Sequence, residues 1–223
     1  MFLFHRSSPP ALSFTPFGGA SRGEGRKKGT MQQRSEETRA RILDAAVKRF
    51  AIAGYNAASV DDICSAAGVS KGAFYHHFPS KQAVFLALLE GWLTMIDMGM
   101  EAARKETVPE TLVYMTNLYP AVFASAEDRL PMFLEFWLQA SRDETVWQAL
   151  IAPYRRYQEH FTELVEGGIA EGSLKAVNPQ IAAQLILSLA VGLLLQGVLD
   201  PKGADWQKIA EQSMQIMMNG LAK

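Results

Sequence analysis

The stretch that decides the fold is residues 59–81, SVDDICSAAGVSKGAFYHHFPSK. Ser59 followed three residues later by Asp62 matches the capping-box pattern that begins a helix. Gly68 can adopt the left-handed backbone conformation of a tight turn. Ser70 is a suitable N-cap for a second short helix. Two short helices joined by a tight turn that contains glycine form a helix-turn-helix, and the sequence predicts that motif here.

The segments on either side of this motif are helical in pattern as well. Residues 36–53 carry an apolar stripe at helical spacing, with Ser35 as the predicted N-cap and Gly54 as the predicted end. After the motif, Ser80 is predicted to cap a longer helix over residues 81–105. No later run shows the strict alternation of a strand. The sequence therefore predicts an all-α protein.

Proline and glycine mark the predicted bounds of the later helices. A helix is expected to begin near Pro109 and to reach about Ala124, with Pro120 as a kink. Asn178 and Pro179 predict an N-cap followed by proline at the first helical position. The chain is expected to break at Gly197 and again at Asp200-Pro201. The remaining helices are predicted over residues 128–141, 143–172, 179–196 and 205–221, which gives nine helices in all.

Charge is distributed unevenly along the 223 residues, although the net charge is only −1. Residues 1–81 hold 12 Lys and Arg against 6 Asp and Glu, whereas residues 82–223 hold 10 against 17. A basic N-terminal third on an acidic remainder indicates a module that binds a polyanion, joined to a body that does not.

Several other classes of protein are disfavoured by the sequence. The single cysteine, Cys64, excludes a disulfide framework and a Cys-rich metal site. No run of 18 apolar residues lacks a polar interruption, so no membrane-spanning helix is expected. The adjacent His76 and His77 point about 100° apart on a helix and have no partner at ligand spacing, so neither a metal nor a cofactor is predicted. No G-x-S-x-G or H-E-x-x-H motif is present, so an enzyme is not expected.

Residues 1–30 differ from the rest because they are rich in Pro and Gly and show no helical period. They are expected to be a disordered tail that ends in the basic cluster Arg26-Lys27-Lys28. Purine-rich codons for Lys-Lys-Gly ahead of Met31 would resemble a ribosome-binding site, so translation is expected to start at Met31. The alternative is a basic arm that touches DNA phosphates.

Within residues 36–96, the sequence resembles the DNA-binding domain of TetR-type transcriptional regulators. The resemblance is carried by Thr38-Arg39, Ile42-Leu43-Asp44-Ala45-Ala46, Phe50, Gly54-Tyr55, Ser59-Val60, Ile63, Ala67-Gly68-Val69-Ser70-Lys71-Gly72, Phe74-Tyr75-His76-His77-Phe78 and Ser80-Lys81. A second, weaker resemblance to BetI-like regulators is carried by Glu135-Phe136-Trp137, by Gly168-Ile169-Ala170-Glu171-Gly172 and by Asp200-Pro201.

This resemblance implies a nine-helix TetR-like fold in two functional parts. Residues 34–82 would form a three-helix helix-turn-helix DNA-binding domain, with the motif extending to about residue 96. Residues 83–223 would form a helical ligand-binding and dimerisation domain. Residues 1–33 would be the disordered extension. The implied protein is a cytoplasmic homodimer that binds double-stranded operator DNA and a small-molecule effector, with no membrane partner.

The DNA contacts are expected around the second helix of the motif. Ile63, Val69, Phe74 and Phe78 form its apolar seat, which leaves the other face at its N-terminal end free to meet bases and phosphates. Free backbone amides at Ser59 would bind a phosphate, and the resemblance implies a phosphate contact for Lys81. The predicted DNA-binding residues are Ser59, Ser70, Lys71, Gly72, Tyr75, His76, Lys81 and Arg39.

An aromatic and methionine-rich stretch falls where the resemblance implies a ligand cavity. The predicted ligand-binding residues are Met115, Tyr119, Phe123, Phe133, Phe136 and Trp137. Aromatic walls with few polar groups favour an apolar or aromatic ligand, whereas an aromatic cage would suit a quaternary ammonium. Ordinary core packing is the alternative for each of these residues.

Two late apolar stripes are the predicted dimer interface, because helices apolar over more than one face are hard to bury in so small a domain. The stripes consist of Ile181, Leu185, Ser188, Leu189 and Gly192 on one helix and of Ile209, Ser213 and Ile216 on the last. The predicted function is a ligand-responsive regulator, and more specifically a repressor released from a palindromic operator. The alternatives are an activator and a soluble all-α enzyme or carrier without a DNA role.

Overall fold

The computed structural model describes residues 31–118 and 130–221, and the side chains of all of these except residues 130–133. The described residues form nine helices and no β-sheet, in agreement with the all-α prediction. The helices are α1 (Met31–Ala57), α2 (Val60–Ala67), α3 (Lys71–His77), α4 (Lys81–Ala102), α5 (Val108–Met115), α6 (Leu130–Ala140), α7 (Glu144–Ala170), α8 (Pro179–Leu199) and α9 (Trp206–Leu221).

Most helix starts follow from the capping residues that the sequence supplies. Ser80, Asp143 and Asn178 each accept a hydrogen bond from the backbone N–H three residues later, which satisfies a donor that the helix start leaves unpaired. Thr107 does the same for α5, where Pro109 lies in the first turn as predicted.

Three predicted helix bounds are wrong. The helix α1 begins at Met31, so Ser35 lies inside it and is not an N-cap. The helix α5 ends at Met115 rather than near Ala124, and Pro120 falls outside the described residues. Gly197 is buried inside α8 and does not end the helix, which continues to Leu199.

Gly54 marks the functional end of α1, as predicted. Its φ of 77° and ψ of 160° are not helical, so the helix axis breaks there although the turn pattern continues to Ala57. Glycine adopts this backbone conformation without the steric cost that a Cβ atom would bring.

The described residues form two large hydrophobic cores and one small cluster around Leu193 and Ala210. The first joins α1, α2 and α3 to α4, α6 and α7, and its largest fully buried side chains are Phe50, Phe74 and Phe85. The second joins α5, α7, α8 and α9 around Leu112 and Ile186. The first core therefore ties the helix-turn-helix to helices that also build the rest of the protein.

Both α4 and α8 are long and apolar enough to cross a membrane by length and composition alone. The core helices of soluble proteins pass the same test, so this is weak evidence. Here α8 packs against α7 and α9, and α4 packs against α1 and α7.

Candidate DNA-binding and ligand-binding sites

The turn between α2 and α3 has the geometry that the sequence predicts. Ser59 Oγ accepts a hydrogen bond from the Asp62 N–H at 3.1 Å, and the Asp62 carboxylate accepts one from the Ser59 N–H at 3.0 Å. Gly68 has φ 62° and ψ 42°, the left-handed conformation. Ser70 Oγ accepts from the Ala73 N–H at 3.1 Å, which starts α3. These residues form a helix-turn-helix.

The helix α3 has only seven residues, too few to be stable by itself in water. It is held by Phe74, which is fully buried, and by Phe78, which lies directly after it and is also buried. Both side chains pack into the first core beside Ile63. Cys64 is buried in the same core, and burial raises the pKa of its thiol, so it is not a nucleophile at neutral pH.

The opposite face of α3 is open to solvent. Tyr75 is 53% exposed, and Gly72 and His76 are also exposed. The Lys71 ammonium lies 2.7 Å from the Asp61 carboxylate, with its side chain 62% exposed. The hydrogen bond to Asp61 raises the pKa of Lys71, so this lysine keeps its positive charge at the solvent-facing surface. Arg39 is exposed nearby, with its guanidinium 5.2 Å from the centre of the Phe78 ring.

Ser59 does not provide the free amide that the sequence suggested for a phosphate. Its backbone N–H and its hydroxyl both donate to Asp62 Oδ2, at 3.0 and 2.6 Å. These hydrogen bonds lower the pKa of Asp62, so a negative charge already occupies the start of α2. Ser59 therefore acts as a helix cap.

Lys81 also has a role that the sequence did not predict. Its ammonium donates to the backbone carbonyls of Tyr55 at 2.7 Å, Ala58 at 2.8 Å and Asn56 at 3.3 Å. An ammonium has three hydrogens, and here all three are used. Burial lowers the pKa of Lys81. Lys81 therefore ties the start of α4 to the end of α1.

An apolar cavity of about 660 Å³ lies among α4, α5, α6, α7, α8 and α9. That volume is in the range of sites for small molecules. The aromatic residues of its wall are Trp92, Trp137, Trp147, Tyr154, Tyr157 and Phe161, and the rest of the wall is mainly Leu, Ile, Val, Met and Ala.

The predicted ligand-binding residues are placed in three different ways. Met115 and Trp137 lie on the cavity wall. Phe136, beside Trp137 on α6, is instead buried in the first core, with its ring centre 4.7 Å from that of Phe85. Tyr119 and Phe123 lie outside the described residues, as does the side chain of Phe133.

The sequence did not single out the part of the wall that comes from α4, α7 and α8. Trp92 and Leu93 on α4, and Tyr154 and Tyr157 on α7, line the cavity. The two tyrosines are spaced three residues apart and so share one helix face, which was the available signal. This spacing alone does not distinguish residues of a cavity wall from residues packed in an ordinary core.

The cavity is connected to the helix-turn-helix by packed side chains. Trp92 lines the cavity and stacks on Phe136 at 6.5 Å between ring centres, and Phe136 packs on Phe85. The Phe85 ring in turn lies 4.6 Å from that of Tyr55, next to the carbonyls held by Lys81. These ring contacts form a continuous packed path from the cavity wall to the end of α1.

The predicted dimer residues divide between the surface and the interior. Ile181, Leu185 and Ile216 are 68%, 51% and 73% exposed, which is unusual for large apolar side chains, and Ser188 is exposed too. The half-buried members are Leu189, Gly192, Ile209 and Ser213. Leu189 also lines the cavity. A Cβ on Gly192 would meet no atom within 4 Å, which leaves open space for a close approach.

No group of three His, Cys, Asp or Glu residues that could hold a metal ion occurs in residues 31–118 and 130–221.

Comparison with known proteins places the chain in a family. Residues 42–88 match the model of bacterial regulatory proteins of the tetR family, and residues 119–222 match the C-terminal model of BetI-type transcriptional repressors. The chain belongs to the TetR family of transcriptional regulators. The HTH-type transcriptional regulator YfiR of Bacillus subtilis is 25% identical over 189 residues, covering 82% of this chain and 91% of YfiR.

Solved structures of TetR-type architecture support the same fold. A transcriptional regulator from Saccharomonospora viridis in complex with choline superposes with a TM-score of 0.73 at 22% identity, over 84% of this chain and 98% of that one. The regulator FadR from Bacillus subtilis in complex with stearoyl-CoA gives a TM-score of 0.70 at 22% identity, over 81% of this chain and 97% of FadR. The all-α TetR-like fold predicted from the sequence is confirmed, with nine helices in the residues that the structure describes.

Proposed function

We propose that this TetR-family protein is a cytoplasmic, homodimeric repressor that leaves a palindromic operator when a small molecule fills the apolar cavity. Residues 34–82 would be its DNA-binding domain and residues 83–223 its ligand-binding and dimerisation domain. The observation that carries the proposal is the continuous packing from the cavity through Phe136 to the helix-turn-helix. The proposal gives this chain a binding role and no catalytic one.

DNA would be recognised by the exposed face of α3. We propose that Lys71, Gly72, Tyr75 and His76 enter the major groove, with Ser70 and Arg39 at the neighbouring phosphates. Lys71 would exchange its ion pair with Asp61 for a phosphate or a base edge, which is feasible because the pair is solvent-exposed and weak. Ser59 and Lys81 would act indirectly, by fixing α2 and α4.

The dimer would form through the exposed apolar residues of α8 and α9. The exposure of the large apolar side chains of Ile181, Leu185 and Ile216 supports an interaction site there. Two helices from each subunit would pack as a four-helix bundle, with Ser188 and Gly192 allowing close approach. Such a dimer would present two copies of α3 to half-sites about 34–36 Å apart.

Ligand binding would change the angle of α4. Trp92 and Leu93 on α4 line the cavity. At the start of the same helix, Lys81 donates hydrogen bonds to carbonyls at the end of α1. A ligand that fits one tilt of α4 better than the other shifts the population toward that tilt. The two copies of α3 would then no longer match the operator spacing. A coupling of about 1–3 kcal/mol, or a 5–150-fold change in affinity, is typical of such switches.

Two of the similar structures are complexes with a small molecule, one with choline and the other with stearoyl-CoA, which supports a ligand-responsive protein. The test is selection of bound sequences from fragments of the source genome, followed by titration of the selected site. The proposal expects a palindromic site whose binding weakens steeply with salt. Recovery of no enriched sequence, with a cavity that still binds small molecules, would favour the carrier alternative.

A further inference from the structure

The described wall of the cavity carries no charge. None of its residues is Asp, Glu, Lys, Arg or His. An ionic ligand buried there would need a partner of opposite charge, because taking a charge out of water costs several kcal/mol unless it is paired. The wall supplies aromatic faces, and a cation over an aromatic ring gains only about 2 kcal/mol when desolvated.

The carboxylate of Asp97 is hydrogen-bonded to the cavity residue Tyr157, and its charge is already paired. Arg156 Nη2 donates to its two oxygens at 2.7 and 2.9 Å, and the Tyr157 hydroxyl donates to Oδ1 at 2.8 Å. Of these three residues only Tyr157 lines the cavity. Burial and the bond to Asp97 raise the pKa of Tyr157 to about 12, so the phenol stays neutral. Asp97 is therefore not available to a cationic ligand.

The hydroxyl groups of the wall also have their hydrogens committed. Tyr154 donates to Gln184 Oε1 at 3.2 Å, Thr116 donates to the Val113 carbonyl at 2.6 Å, and Ser141 donates to the Leu138 carbonyl at 2.8 Å. A bound carboxylate would have to break one of these bonds to gain a hydroxyl donor. Tyr154 Oη already accepts a hydrogen bond from Gln184 Nε2 at 3.1 Å. The Thr116 and Ser141 hydroxyl oxygens can still accept one, which suits a neutral ligand with one O–H or N–H group.

The size of the cavity sets the size of the ligand. The volume of about 660 Å³ lies in the range of sites that hold drug-sized molecules. Choline is far smaller and would leave most of the apolar wall uncovered.

We propose that the effector is an uncharged, largely apolar molecule, larger than choline, with at most one small polar group. It is neither a quaternary ammonium compound nor a free fatty acid. This inference rests on the proposed ligand-responsive function and names the class of ligand for the same cavity.

The test compares three probes that share one alkyl chain: dodecanol, dodecanoate and dodecyltrimethylammonium, each below its aggregation threshold, with choline as a fourth. Binding to the full-length protein is followed by tryptophan fluorescence, because Trp92, Trp137 and Trp147 lie on the wall, and by the rise in melting temperature. The expected result is at least tenfold tighter binding of dodecanol than of either charged probe, and no binding of choline at matched concentration. Equal or tighter binding of a charged probe, binding of choline, or no binding of dodecanol would overturn the proposal.

A pair of variants locates the bound probe. Ile151 lines the cavity, so Ile151→Glu places a carboxylate in the wall and Ile151→Gln is its neutral match. We expect Ile151→Glu to bind dodecyltrimethylammonium at least tenfold tighter, relative to dodecanol, than Ile151→Gln does. Identical preferences in two folded variants would show that the probes bind elsewhere and overturn the proposal. If Ile151→Glu does not fold, the wild-type series still decides.

Operator titration with each probe present separates this proposal from the proposed function. Release of the operator by a charged probe alone would overturn the ligand class and leave the ligand-responsive function intact. Tight dodecanol binding without any change in operator affinity would support the ligand class and refute the switch.

Discussion

Replacing Lys81 with Met removes the ammonium that holds the last carbonyls of α1 but keeps an unbranched side chain. Hydrogen bonds to a charged group contribute about 1.5–3 kcal/mol each. The three bonds to Tyr55, Asn56 and Ala58 contribute less than their sum, because burial of Lys81 opposes them and water can reach part of the site. We expect a loss of about 2–4 kcal/mol of unfolding free energy.

A loss of that size lowers the melting temperature by about 5–15 °C for a protein of this length. Calorimetry at one fixed protein concentration measures it, since the stability of a dimer depends on concentration. The matched control is Lys48→Met. It removes an exposed ion pair in which the Lys48 ammonium lies 3.0 Å from the Asp44 carboxylate, and it should lower the unfolding free energy by less than about 0.5 kcal/mol.

The same variant distinguishes the structural role of Lys81 from a phosphate contact. Each phosphate contact contributes about 0.9 to the slope of log K against log salt concentration. If Lys81 contacts only α1 and no phosphate, the slope of log K for operator binding against log salt concentration stays at the wild-type value. The comparison is made at a temperature where the variant is folded. An unchanged melting temperature together with a shallower salt slope would refute the structural assignment and restore Lys81 to the DNA interface.

Three other substitutions or deletions test the assignments. Gly72→Ala should leave the fold intact, because the added Cβ would meet only Ser70 Oγ at 3.8 Å. It should weaken operator binding at least fivefold, because the methyl group would hold α3 away from DNA. Unchanged affinity in anisotropy titrations would contradict the close approach. Leu185→Glu should give monomers in light scattering and abolish operator binding, whereas Ile52→Glu, at a more exposed apolar position on α1, should remain dimeric. A monomeric Leu185→Glu protein that keeps full affinity would refute the dimer mechanism. A chain that starts at Met31 should melt at the same temperature and bind the operator nearly as tightly, and a tenfold loss of affinity would instead show that residues 1–30 act as an arm.

Local sequence signals predicted the helix-turn-helix well. The Ser59–Asp62 capping box, the left-handed Gly68 and the Ser70 cap depend on residues within three or four positions of one another. Their hydrogen bonds can therefore be read from the order of residues. The buried seat of Phe74 and Phe78 follows from the same helical spacing.

The contacts of Lys81 could not be predicted in this way. Its partners lie 23–26 residues earlier in the chain, and only the crossing of α1 and α4 brings them together. Phe136 and Trp137 show the same limit. They are neighbours on α6 and similar in type, yet one is buried against Phe85 and the other faces the cavity. The helix that packs on each face of α6 decides which side chain is buried and which faces the cavity. A sequence with two apolar stripes does not identify those packing partners.

The measurement that tests the central claim most directly is the operator affinity of Tyr75→Ala beside wild type. Tyr75 is exposed and packs edge-on against Phe74 at 5.3 Å, so truncating it should leave the melting temperature nearly unchanged. If α3 contacts DNA through this face, fluorescence anisotropy on the selected operator should show a loss of about 1–3 kcal/mol, or roughly 5–150-fold. A folded, dimeric Tyr75→Ala protein with wild-type operator affinity would contradict the account.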